Sequence, residues 1–422
     1  MKFDFTGLLK NEMKPALGVT EVGAIALAAA RAYAAVGGEL QGIRMVMNGG
    51  MYKNAFSCAI PGTQELGCNM AAALGALGGD WTLGLEVLKN ITAAHVAEAK
   101  ALQIPMDIKA DETKEGIYIL AEIRTSEGVG VCRIEDFHAN IVFVAKNDTV
   151  LFQAEQTKAA EQQQAFDFEA VTVADMVDYA KTVPIAELSC VKEMIAMNCA
   201  LSVEGEKGVG LQIWKTLAAF RNRGAVGDDM IYAAQRLTCS AMDARLAGLP
   251  LPAMSIVGSG SHGILCSMPV VSYGRFAGKT EEEIIRGVAL SCLITIFSKH
   301  YTGRLSALCG CVLGGGSGAA AGIVLLMGGG AKETSAAMDH MAANLTGMIC
   351  DGGSIGCALK ASAGVYAAYL SAMLAMEGIA IPHNFGVIGS SAEQTEKNLG
   401  RISDEGMAPM DSTIIDVMQK GK

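Results

Sequence analysis

Four cysteines fall in two short glycine-rich runs: Cys309 and Cys311 in CGCVLGGGSGAAAG (309–322), and Cys350 and Cys357 in CDGGSIGC (350–357). Two chemistries are open to them. Dispersed thiolates can hold an iron–sulfur cluster, whereas zinc usually takes more closely spaced Cys pairs. Small thiols also fill apolar gaps, since free Cys is among the most buried residue types. If residues 309–311 are helical, the two side chains point about 200° apart, so one of Cys309 and Cys311 is expected to face a site and the other to pack. The three glycines between Cys350 and Cys357 let that chain fold back and aim both sulfurs at one point.

Two further glycine loops, GSGSHG (258–263) and GGGSG (314–318), offer consecutive backbone N–H groups that can converge on an anion. Neither has the Gly-Lys-Ser/Thr ending of a P-loop or the strand context of a dinucleotide fingerprint. A substrate carboxylate suits such loops equally well, and His262 sits in the first of them with a side chain able to move protons near neutral pH.

The elements that must position these residues are mostly helical. Residues 20–36, TEVGAIALAAARAYAAV, are helix formers throughout and open on Thr20 and Glu21, a polar pair suited to an exposed helix N-terminus. Residues 70–101 read as helix, and helix resumes near Val173. Between about 105 and 155 the texture changes to Ile, Val, Tyr and Phe broken by SEGVG and KND, the pattern of antiparallel strands joined by tight turns. KAAEQQQAF (158–166) reads as a solvated connector. The expected fold is therefore α+β, a mainly helical core with an inserted small antiparallel β module: residues 1–104 and 173–422 form the core and 105–172 the insert. No repeat of fixed period is evident.

Of the 422 residues, 51% are hydrophobic, 18% charged and only 5% aromatic, while 50 are glycine. Such a core is built from small side chains that let helices approach closely, and much helix surface must be buried within the fold or against another copy, so a homo-oligomer is expected. A net charge of −10 argues against nucleic acid, which selects a basic face. The interleaved charges of MKFDFTGLLKNEMKPALG do not read as a secretion signal, so a cytoplasmic protein with reduced thiols is expected. Residues 305–331 carry no charge and are long enough to span a bilayer, but their glycines favour a buried helix interrupted by a turn, and no membrane is expected as partner.

The motifs KPALGVTEVGAIALAAARA, YKNAFSCAIPGT, MAAALGALGG, HANIVFV, VGSGSHGI, TGRLSALCGCVLGGGSGAAAGIV, CDGGSIGCALK and NLGRIS occur in an order that resembles the L-cysteine desulfidase family, whose larger relatives are the iron–sulfur L-serine dehydratases. The resemblance covers nearly the whole chain. It implies a lyase without PLP that uses a [4Fe-4S] cluster with one iron free of cysteine to remove the β-substituent and amine of a small amino acid of the cysteine or serine type, giving pyruvate and ammonia. It implies cluster ligands among Cys309 or Cys311, Cys350 and Cys357. In that scheme Asn54, Thr63, Ser259 and Ser261 hold the substrate together with Lys53, Arg304 and Lys360 are further anion-binding groups, and His262, then Lys53 and His138, are the candidate bases.

This chain departs from the family pattern where PALGCTEP reads PALGVTEV, placing Val19 at a cysteine position. CDGAK becomes CDGGS at Ser354, and GSGNQG becomes GSGSHG. Conversely, Cys58, Cys68 and Cys266 add thiols, and at least one of them is expected close to the Cys350–Cys357 pair. Two other readings follow from Val19: a cluster-free lyase or isomerase built on His262, and a non-catalytic protein that binds a small amino acid.

Overall fold

A computed structural model describes residues 3–154 and 166–421. Residues 158–165 of the expected connector lie outside the described residues. The fold is α+β and mainly helical. Among the described residues eight strands are numbered in chain order: β1 (Met13–Leu17), β2 (Leu40–Met47), β3 (Met106–Ala110), β4 (Tyr118–Thr125), β5 (Gly128–Glu135), β6 (Ile141–Lys146), β7 (Thr149–Gln153) and β8 (Pro252–Ile256).

The larger sheet has the order β3-β2-β4-β5-β6-β7. Its β4–β7 meander is the antiparallel module expected from the sequence, but the sheet also recruits β2, which pairs in parallel with β3 and antiparallel with β4. The expected insert boundary at 105 thus cuts through a sheet. LQGIRMVM buries Ile43, Met45 and Met47 on one face, and the backbone N–H and C=O groups of so buried a strand need a partner on each side, which the distant strands supply. The Thr20–Val36 helix covers this sheet so tightly that a Cβ on Gly130 would stand 2.0 Å from the Ala32 carbonyl oxygen.

Of residues 70–101, the Gly67–Gly78 and Ala93–Ala101 helices flank a short 3-10 turn at Trp81–Glu86. The rest of the core is a bundle: Met230–Leu246, Gly260–Phe276, Glu281–Thr302, Gly316–Leu326, Ala331–Leu345 and Cys357–Met376. Small residues set its spacing. At the crossing of Glu281–Thr302 with Gly316–Leu326, a Cβ on Gly318 would lie 2.3 Å from the Ser291 carbonyl oxygen, and one on Gly322 would lie 2.6 Å from that of Gly287. The apolar stretch 305–331 is not one helix. A π-helical turn, Cys311–Gly315, opens into the buried Gly316–Leu326 helix. Among the described residues, Cys357–Met376 is long and apolar enough to cross a membrane by length and composition, and half of that window is buried inside the fold.

Three long-range pairings bring the motifs together. β1 and β8 pair antiparallel, with Pro15 opposite Met254, and each runs through a short turn into a helix, Thr20–Val36 and Gly260–Phe276. The two helix starts thus lie side by side, and the Thr20 hydroxyl donates to the Gly258 carbonyl at 2.7 Å. A bridge between Leu308 and Ile349 zips the two cysteine runs together: Cys309 N–H donates to Met348 O at 2.8 Å and Cys350 N–H to Ala307 O at 2.7 Å. The Met410–Lys420 helix closes over Gly49–Ala55 through the ion pair of Lys53 and Asp411, 2.6 Å.

One buried acid runs against the stability of this core. Glu396 is 1% exposed, its Oε2 has no hydrogen-bond partner, and burial, with the nearby Asp339 charge, pushes it up to about 7 against the opposing Ser298 and Lys299. A carboxyl raised in the folded state binds its proton more tightly there than when unfolded, so its stabilising contribution is complete below about 4.5 and is lost as pH rises through about 7. Glu396→Gln is expected to flatten this dependence and to gain up to about 3 kcal/mol at pH 8. Urea midpoints of both proteins at pH 5 and pH 8 check it, and equal pH profiles would contradict it.

Candidate active site

The paired strand–turn–helix units and the zipped cysteine runs enclose one cavity. Its floor is the 257–262 turn. Val257 and Gly258 both have positive φ, 49° and 75°, a conformation unfavourable for a β-branched residue, and a Cβ on Gly258 would press on His138 Nδ1 at 3.0 Å. Ser259 caps the Gly260–Phe276 helix by accepting from His262 N–H at 3.5 Å.

All four motif thiols line this cavity. Cys309 and Cys311 both face it, with their sulfurs 3.3 Å apart, which corrects the expectation that only one would. The reason is local: Cys309 belongs to the extended bridge with Met348 and precedes the helix, and the chain beyond it is a π turn. The Cys311 thiol, together with Lys360 and Lys299, pulls Cys309 below the usual thiol range, and Cys311 as its partner is pushed well up. Burial raises Cys350 and raises Cys357 to about 11.

The remaining expected residues divide. Asn54, His138, Ser259, Ser261, His262, Arg304 and Lys360 line the cavity with the thiols. Lys53 does not: it lies beneath, donating to Cys350 O at 2.8 Å and to Asp411, so it holds the cysteine loop in place. Thr63 is also outside, folding its own turn by donating to Ile60 O at 2.9 Å and accepting from Glu65 N–H at 3.0 Å. Two of the lining cations are already matched: Arg304 pairs with Glu12 at 2.6 Å beside the Phe137 ring, and Lys360 pairs with Asp351. His262 is 6% exposed with Nδ1 unpartnered, and burial beside Lys299, Arg245 and Arg304 holds it well below the ordinary range, so it is neutral at pH 7. Burial lowers His138 too, opposed by Glu21, whose Oε1 lies 3.9 Å from His138 Nε2.

Sequence reasoning missed three residues of this cavity. Glu21, expected on an exposed helix start, is 7% exposed and accepts from Asn54 Nδ2 at 2.8 Å; the β1–β8 pairing buries that start. Arg245, 3% exposed, donates from Nη1 to Ser261 Oγ at 2.8 Å and leaves Nε unpartnered. Lys299, 2% exposed, donates to Ser306 Oγ at 3.2 Å, and burial lowers it to about 8. Among the described residues neither Arg245 nor Lys299 forms an ion pair. A basic residue within a largely apolar stretch, Lys299 in LITIFSKHYT and Arg245 beside Asp243 in SAMDARLAGL, was the available signal. Lys299 Nζ and His262 Nε2 converge on one point, each within 2.8 Å of where a Cβ on Gly310 would stand.

Of the added thiols, Cys58 lies against the cysteine loop, its sulfur 2.6 Å from Asn54 O and 2.7 Å from Gly353 O. Cys68 faces Tyr52 O at 3.8 Å, and Cys266 packs against Cys292 in the core. Val19 lines the cavity itself. Among the described residues no three His, Cys, Asp or Glu side chains are arranged to hold a metal ion. The chemistry of the donor set nonetheless suits a thiolate-bound cluster: four cysteines face one space whose charge Lys299, Lys360 and Arg245 can compensate.

The chain is similar over its whole length to UPF0597 proteins of several bacteria. It is 41% identical to that of Clostridium botulinum (strain Okra / Type B1) over 417 residues, covering 97% of each chain. It is 38% identical to that of Clostridioides difficile (strain 630) over 422 residues, covering 97% of this chain and 98% of the relative. That of Bacteroides fragilis is 38% identical over 416 residues, covering 97% of this chain and 96% of the relative. Residues 82–416, from the 3-10 turn to the last helix and including both cysteine runs and the 258–263 loop, match the serine dehydratase alpha chain model. The chain therefore belongs to the serine dehydratase alpha chain family.

Proposed function

We propose that this protein is a PLP-independent lyase that eliminates the β-substituent of a small amino acid, cysteine or serine in type, releasing pyruvate and ammonia. The observation that carries this reading is a pair of buried cations that form no ion pair among the described residues, Arg245, which feels the Glu21 charge, and Lys299, facing His262 and four thiols across one cavity. A buried guanidinium with a free Nε calls for an anion, and the substrate carboxylate supplies it. Ser259 and Ser261 line the same wall and orient that carboxylate, while Glu21, held by Asn54, accepts from the ammonium group.

Lys299 in its free-amine form takes the α-proton, and neutral His262 beside it passes the proton on. Loss of the α-proton and of the β-substituent, as sulfide or water, leaves 2-aminoacrylate. Water then hydrolyses its imine tautomer to pyruvate and ammonia. A [4Fe-4S] cluster held by thiols among Cys309, Cys311, Cys350 and Cys357 would supply, when bound, a Lewis-acidic iron for the leaving sulfur or oxygen.

The test uses anaerobically purified, iron- and sulfide-reconstituted protein with L-cysteine and L-serine, measuring pyruvate and ammonia together. Formation of both in equal amounts is expected, and neither product from either substrate overturns the reading. Val19 in the cavity wall favours one second reading, a cluster-free lyase resting on His262. Two substitutions separate them: with a cluster, Cys350→Ala removes bound iron and at least 99% of turnover, whereas without one only His262→Asn abolishes activity.

A further inference from the structure

A second cavity, of about 310 Å³, lies between the Ala331–Leu345 helix, the turn that follows Met376 and the start of the Ala392–Arg401 helix. That volume is at the lower end of the ~300–1,000 Å³ common for small-molecule sites. Asp339 lines it and is only 6% exposed. One of its oxygens, Oδ1, accepts from Thr395 Oγ1 at 2.7 Å, while no hydrogen bond or ion pair among the described residues reaches Oδ2. A buried carboxylate with one oxygen left open to a cavity is costly unless something cationic visits it.

The other acids here are less buried than Asp339, and each accepts one backbone bond: Glu333 Oε2 from Gly330 N–H at 2.8 Å, and Glu393 Oε1 from Val173 N–H at 2.9 Å. Lys332, exposed at the rim, makes no ion pair among the described residues. Ala375, Ile379 and Ile381 supply an apolar wall. One buried anionic acceptor with His383 near it, an exposed rim cation and an aliphatic wall together match a zwitterion with a hydrocarbon side chain. We propose that this cavity is a second binding site, for a small aliphatic α-amino acid, with its ammonium on Asp339, its carboxylate toward Lys332 and its side chain against the Ala375–Ile379–Ile381 wall. Thr395, which holds Asp339, adjoins Glu396, whose carboxyl feels Ser298 and the Lys299 charge of the first cavity.

This inference does not rest on the reaction proposed above, and its test uses binding alone. Isothermal titration of the full chain with L-alanine, L-valine and L-leucine, and with isovalerate as a control lacking the ammonium, is run on the wild type, Arg245→Met, Asp339→Asn and Ala380→Trp. At least one amino acid is expected to bind the wild type and Arg245→Met with Kd equal within threefold. Asp339→Asn and Ala380→Trp, the latter filling the cavity from an exposed turn, should each weaken it tenfold or more. If Asp339→Asn fails to fold, Ala380→Trp decides. No binding to the wild type, binding lost in Arg245→Met, binding kept in Ala380→Trp or in folded Asp339→Asn, or isovalerate binding as tightly as valine overturns the proposal.

Discussion

Arg245→Met is expected to lower kcat/KM for the proposed amino-acid substrate about a thousandfold, mostly through KM. Its guanidinium is 3% exposed, one nitrogen is fixed by Ser261, and Nε is left without a partner. Losing one side of a buried charge-assisted pair typically costs about 2–5 kcal/mol, and a thousandfold is about 4 kcal/mol. The carboxylate is bound alike in ground and transition states, so KM takes the change while kcat stays within about tenfold. Methionine approximates the length of the arginine stem and removes a desolvated charge, so the melting temperature should not fall. Steady-state pyruvate kinetics with a parallel thermal melt checks both parts. An unchanged KM would assign Arg245 to packing.

Lys299→Met is expected to act on kcat instead, by about 10²–10⁴, the range of a lost general base. The same substitution should stabilise the fold. Burial holds the Lys299 ammonium down at about 8 against an ordinary value of 10.5, so the folded state binds this proton less tightly than the unfolded one. The penalty is fully present below about 8 and disappears as pH rises toward 10.5, which gives Lys299→Met an advantage on the order of 1–3 kcal/mol at pH 7 and little at pH 10.5. Urea titrations at pH 7 and pH 9.5, with single-turnover assays at pH 7, check it. A variant that is both less stable and fully active would remove Lys299 from the chemistry. A gain in stability with a loss of turnover is what a desolvated catalytic amine produces.

The functional runs were legible in the sequence because their chemistry is local. Gly352 and Gly353 between the two cysteines, and Ser259, Ser261 and His262 of the other glycine run, each require only a few consecutive residues, and all of these line the cavity. The β4–β7 meander was legible for the same reason, since its strands alternate and its turns are short. Lys53 and Thr63 read as site residues because their motif adjoins Asn54, yet a helix turns its successive side chains about 100° apart. Asn54 reaches the cavity, and Lys53 points to Asp411 behind it.

By itself, then, the sequence determined the helical character, the strand-rich segment and the four-thiol, two-histidine vocabulary of the candidate site. Tertiary structure decided which residues share the cavity. Arg245 and Lys299 stand in helices that carry other charges, Asp243 and Arg286 among them, and only packing shows which charge ends in solvent, in an ion pair or in a cleft. That outcome depends on the β1–β8 pairing and the Leu308–Ile349 bridge, the first joining segments more than 200 residues apart. These pairings bury Glu21 and hold Cys309 N–H against Met348 O so that its sulfur meets that of Cys311, while separate pairings with β3 and β4 set β2 into a sheet whose other strands lie beyond residue 105. Local propensity is blind to each of these, because the energy comes from surfaces that become neighbours only when the chain has folded.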